Sequence, residues 1–69
     1  MIHKPLITVI TAVLNDDKNI ETTIRSVLEQ RYDNIQYVII DGGSTDNTKK
    51  IIESFKDKID IFVSEKDKG

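Results

Sequence analysis

The sequence predicts an α/β fold of order β-α-β-α-β around a three-stranded parallel sheet, and three observations predict it. Runs rich in β-branched residues at 6–13, 35–40 and 59–63 alternate with two segments of helical periodicity. The runs are too continuously apolar for an antiparallel sheet with one solvated face, which favours parallel pairing. Each connection is long enough to hold a helix, so right-handed crossovers give the strand order 3-2-1 with both helices on one face, a Rossmann-like arrangement.

Residues 6–13 read LITVITAV and form the first strand, with Pro5 at its start, where a missing N–H removes no ladder bond. Leu14-Asn15-Asp16-Asp17 then breaks the strand and offers side chains that can begin a helix. Ile20, Ile24, Val27 and Leu28 recur at i, i+4, i+7 and i+8, the stripe of an amphipathic helix over 18–30, with Arg25 and Glu29 on its exposed side at i, i+4. Tyr32-Asp33-Asn34 is a turn into the second strand at 35–40, whose Val38-Ile39-Ile40 suits burial on both faces. In the second helix Ile51, Ile52 and Phe55 mark the buried side and Lys49, Lys50 and Glu53 the outer one. Lys56-Asp57-Lys58 closes that helix before the third strand at 59–63.

Helices on one face leave the other face of an apolar sheet bare and the free edge of the first strand open to pairing. The chain therefore reads as the first half of a larger α/β domain, and on its own it is expected to self-associate. Its 69 residues build only a small core, because a chain of this size buries about 60% of the surface it exposes when unfolded.

Composition narrows the function. Hydrophobic residues make up 38% and charged residues 32%, as in a soluble globular chain, and no apolar run is long enough for a membrane span or a signal peptide. The expected location is the cytoplasm, or the inner face of the membrane. Without cysteine there is no disulfide and no thiolate metal site, and the single histidine, His3, stands at the N-terminus, away from any triad or histidine cluster. Ten basic against twelve acidic residues, in no long block of one sign, offer no surface for nucleic acid. A small molecule is the expected partner.

The candidate site is the end of the second strand, where Tyr37-Val38-Ile39-Ile40 stops at Asp41-Gly42-Gly43-Ser44-Thr45-Asp46. Open α/β sheets bind ligands at the carboxyl ends of their strands, and the topology brings three such ends together: residues 11–15, 41–44 and 64–69. Asp41 has two readings. Its carboxylate can accept hydrogen bonds from a ribose hydroxyl or a base N–H, or it can brace the turn. Gly42 and Gly43 are read as turn glycines that also let a ligand approach the backbone, and Ser44, Thr45 and Asp46 as caps of the following helix. Asn15 can satisfy backbone or a nucleotide, whereas Asp16 and Asp17 are helix-start charges. Neither GxGxxG nor GxxxxGK[ST] follows the first strand, which disfavours the usual dinucleotide fingerprint and the P-loop.

These residues resemble the N-terminal nucleotide-binding half of the family 2 glycosyltransferases, which have the GT-A fold. The likeness runs from Leu6 to Gly69. Its elements are Thr11-Ala12-Val13-Leu14-Asn15, Ile24-x-Ser26-Val27-Leu28-x-Gln30, Asn34-Ile35-x-Tyr37, Ile40-Asp41-Gly42-Gly43-Ser44-Thr45-Asp46-x-Thr48 and Ser64-Glu65-x-Asp67-x-Gly69. The resemblance implies transfer of a sugar from a nucleotide diphosphate donor, a UDP-sugar first among them, to an acceptor sugar or lipid-linked glycan in cell-surface polysaccharide synthesis. It also implies that Ala12, Val13, Leu14, Asn15, Asp41, Gly42, Gly43, Ser44 and Asp67 surround the nucleotide. The chain departs from the commoner family pattern at Gly42, where many members have a second acid, and at Leu14, where many have an aromatic residue. The family's divalent metal, Mg or Mn, is held by a DxD-type motif after a further strand, and the general base comes later still. Neither lies within the 69 residues, so the segment is expected to bind nucleotide without transferring sugar.

Two rivals remain at this level. In a receiver-like domain Asp16, Asp17 and Asp41 would hold a metal and accept a phosphoryl group, although such domains need five strands and a phosphoacceptor after the third. In a non-catalytic assembly module the chain would fold only against a partner.

Overall fold

The computed structural model describes residues 5–30 and 34–66. The elements follow in the expected order: β1 (Ile7–Val13), α1 (Ile20–Leu28), β2 (Ile35–Asp41), α2 (Thr48–Glu53), a single 3-10 turn (Lys56–Lys58) and β3 (Ile61–Ser64). The three strands make one parallel sheet in the order β1-β2-β3, as predicted. Ile7 to Val13 face Ile35 to Asp41 residue by residue, and Val38 to Asp41 face Ile61 to Ser64. This register brings the ends of the three strands level.

The core lies between the sheet and the helices. Ile20 and Ile24 of α1, Tyr37 and Ile39 of β2, Ile52 of α2 and Ile59 form one buried cluster, with Val9, Val13, Val27, Leu28, Ile51, Phe55 and Phe62 packed around it. Each fully buried isoleucine contributes about 1.5–3 kcal/mol relative to leaving it exposed. The buried Tyr37 keeps its hydroxyl satisfied through Thr11 Oγ1 at 2.9 Å, so a polar tip enters the core without an unmet bond.

The opposite face is bare, as the two-sided apolar strands imply. Ile10, Val38 and Ile61 form one row across it and Ala12, Ile40 and Val63 the next. Ile10 is 61% exposed, and Ile40, Ile61 and Val63 are exposed as well. Among the described residues no helix is long and apolar enough to cross a membrane.

Two element starts and one ion pair stand out against expectation. The chain from Asp16 to Asn19 is a turn, its Asp16 carbonyl accepting from the Asn19 and Ile20 N–H groups, so α1 starts at Ile20 rather than Lys18. Arg25 pairs with Glu21, one turn N-terminal, at 2.9 Å, rather than with Glu29; acid before base is the better order along a helix. The third strand begins at Ile61 instead of Ile59. Ile59 is a buried anchor after the 3-10 turn, and the Asp60 carboxylate accepts from the Tyr37 N–H at 2.6 Å where a strand carbonyl would otherwise pair.

Candidate functional site

The end of β2 carries the most buried acid among the described residues. Asp41 is 0% exposed, and both of its carboxylate oxygens accept hydrogen bonds. Oδ2 accepts from the Gly43 N–H at 3.0 Å, the Ser44 N–H at 2.9 Å and the Ser64 hydroxyl at 2.8 Å, while Oδ1 accepts from the Ser44 hydroxyl. Burial pushes this carboxyl up, but the bonds from the Ser44 hydroxyl and N–H, the Ser64 hydroxyl and the Gly43 N–H outweigh it and hold the group below its ordinary value. Of the two readings of Asp41, the structure displays the turn brace.

Ser44 extends the brace to β1. Its hydroxyl oxygen accepts from the Asn15 N–H at 2.8 Å while donating to Asp41. The Asn15 side chain answers by accepting from the Thr45 N–H at 2.8 Å. Asn15 has φ of 49°, in the left-handed region that asparagine tolerates better than other residues bearing a Cβ. The two loops meet again farther out. Thr48 Oγ1 accepts from the Asp16 N–H at 2.9 Å, and Asp46 accepts from the Thr48 N–H at 2.9 Å and the Asp17 N–H at 3.3 Å. Bonds from Thr48 hold the exposed Asp46 carboxyl below its ordinary value.

The two glycines differ in what they are for. Gly43 has φ of +96°, and a Cβ there would lie 2.7 Å from the Lys66 Cα, so both conformation and space demand glycine. At Gly42 a Cβ would meet the Leu14 side chain at 3.6 Å, an ordinary contact, so the glycine leaves room rather than relieving a clash. Leu14, 59% exposed, lies over this spot, and Ala12 is exposed beside it. Gly42 is fixed to β1 by its N–H, which donates to the Val13 carbonyl at 2.9 Å.

The structure thus brings together Ala12, Val13, Leu14, Asn15, Asp41, Gly42, Gly43 and Ser44, while Asp67 lies outside the described residues. Ser44 was expected to cap the second helix; its hydroxyl is instead used on Asp41, and Asp46 supplies the side-chain acceptor to Thr48. Sequence reasoning places the 64–69 strand end beside the site and Thr48 in the signature, but assigns neither Ser64 nor Thr48 a bond in this network. Ser64 was findable, because it follows the last apolar residue of its strand as Asp41 follows Ile40, and equal strand ends become neighbours in a parallel sheet. No local signal marks Thr48 as the acceptor for Asp16.

Among the described residues no three histidine, cysteine, aspartate or glutamate side chains come together as a metal site. These residues do not by themselves fit the divalent ion that the resemblance implies. The receiver-like alternative also lacks its geometry, since Asp41 is spent on serines and glycine and Asp17 turns to Asn47 and Asp46.

The profile of "Glycosyl transferase family 2" matches residues 8–69. An uncharacterized glycosyltransferase of Rickettsia typhi is 36% identical over 63 residues, covering 91% of this chain and 20% of that protein. The poly-beta-1,6-N-acetyl-D-glucosamine synthase of Staphylococcus aureus is 40% identical over 58 residues, covering 83% and 14%. Among solved structures, a mannosyltransferase of Pyrobaculum calidifontis in complex with GDP-Man and Mn2+ superposes with a TM-score of 0.83 at 27% identity, covering 97% of this chain and 21% of that one. The chain spans about a fifth of the length of the first of these curated relatives.

Proposed function

Because this chain belongs to glycosyl transferase family 2, we propose that it serves as the N-terminal nucleotide-binding part of an enzyme that transfers a sugar from a nucleotide diphosphate donor. The observation that carries this reading is the level alignment of three strand ends, with Ala12, Leu14 and Gly42 forming an accessible rim above a rigid brace. Ligands of open α/β sheets sit outside such ends. The mannosyltransferase that shares this fold was solved with a nucleotide sugar and Mn2+, which supports the same donor class and a divalent ion for the whole enzyme.

The finer parts of the proposal are these. The donor is a UDP-sugar, and the acceptor is a sugar or lipid-linked glycan in cell-surface polysaccharide synthesis, a role supported by the polysaccharide synthase among the relatives. The enzyme works in the cytoplasm or at the inner face of the membrane. The 69 residues alone bind the nucleotide without transferring sugar, and as a free chain they associate with a second copy through the bare sheet face, whose two central rows carry no charge.

A titration of the ¹⁵N-labelled chain with uridine diphosphate, then guanosine diphosphate, each with Mg2+, tests the binding. Amide shifts gathered at residues 12–15 and 42–44 are the expected result. A well-dispersed spectrum that ignores both nucleotides would overturn the reading, and a response to guanosine diphosphate alone would overturn the choice of uridine.

A further inference from the structure

We propose that Asp41 is a positioning residue: its buried carboxylate joins the ends of all three strands and sets the placement of Asn15, and it makes no contact with the bound nucleotide. This rests on the nucleotide-binding reading above and assigns a different task to the acid at its centre.

Four donors meet the carboxylate, Gly43 N, Ser44 N and Ser64 Oγ at Oδ2 and Ser44 Oγ at Oδ1, and the whole side chain is enclosed. With no exposed surface, the carboxylate could meet a ribose hydroxyl or a base N–H only if the turn and the β3 end around it moved apart. The path outward is short. Asp41 orients the Ser44 hydroxyl, Ser44 holds the Asn15 N–H, and Asn15 stays left-handed next to Leu14 on the rim. On the other side Ser64 brings the end of β3 to the same carboxylate. Gly43 has to pass directly against Lys66 for this to happen, and its missing Cβ allows that.

The test uses the ¹³C,¹⁵N-labelled chain, uridine diphosphate and Mg2+, with the Asp41 ¹³Cγ followed beside the amides. On saturation the amides of Leu14 and Asn15 should move while Asp41 ¹³Cγ stays in place. Ser64→Ala, a smaller disturbance than any change at Asp41, should displace the Asn15 amide across two strands before nucleotide is added and weaken binding about fivefold. An Asp41 ¹³Cγ that moves in step with saturation overturns the proposal, as does a Ser64→Ala chain whose Asn15 amide is unmoved. Absence of any response to nucleotide instead removes the binding reading, and the positioning role falls with it even if the Ser64→Ala shift shows the three-strand tie.

Discussion

The Ser64 hydroxyl at the end of β3 donates to Asp41 Oδ2 at the end of β2 over 2.8 Å, and the same oxygen receives the Gly43 and Ser44 N–H groups. One buried oxygen thus organises a turn and a neighbouring strand. Removing acceptor and donor from this arrangement are different experiments, and they should give different costs.

Asp41→Ala leaves the Gly43 and Ser44 N–H groups without their acceptor and should cost roughly 3 kcal/mol or more. Asp41→Asn keeps the shape and the acceptor for the Gly43 and Ser44 N–H groups but turns an amide group to the Ser44 hydroxyl, and should cost about 1–2 kcal/mol, from the charge and that one bond. Urea unfolding of both variants measures the difference. Equal losses would mean that the charge, not the bonding pattern, holds the turn.

Gly43→Ala should destabilise by about 1–3 kcal/mol through backbone strain, with the contact to Lys66 added on top. Gly42→Ala, where the added methyl finds ordinary contact with Leu14, should stay within about 1 kcal/mol of the native chain. Thermal melts of the two variants side by side check the contrast.

Stability should fall in acid. Asp41 and Asp46 both have carboxyls held below their ordinary value in the folded chain, so the unfolded chain takes up protons first as the pH falls. Their contribution is complete above the unfolded carboxylate value of about 3.9 and is lost as the pH drops through the lowered folded values. Circular dichroism melts should be level from neutral pH down to about pH 5 and decline from about pH 4 downward, with a shallower decline in Asp41→Asn. A native profile that stays flat through that range would show that neither carboxyl is tied as described.

Polar substitution of the bare face should separate association from folding. Ile10→Thr and Ile40→Thr replace exposed side chains with β-branched residues that suit a strand, so the fold should persist. Sedimentation at high protein concentration should show the native chain heavier than a monomer and the double variant closer to one. A native chain that sediments as a monomer throughout would exclude association through this face.

Much of this architecture is written in local pattern. The β-branched runs, the stripe of Ile20, Ile24, Val27 and Leu28, and the polar break after Ile40 define strands, helices and the site-bearing turn, because burial selects side chains at the period of each element. The parallel order follows from connection length, and the bare face follows from that order. What the sequence alone left open at Asp41, a ligand acceptor or a turn brace, depends on which donors arrive from elsewhere in the chain. Ser64 lies 23 residues away and Asn15 reaches Ser44 across 29, so their meeting is a property of sheet register and not of spacing. The start of β3 was likewise settled only when Asp60 met the Tyr37 N–H. Hydrophobic periodicity is a local constraint that one segment can satisfy by itself, whereas a buried carboxylate needs several donors at once, and only the folded chain brings them together.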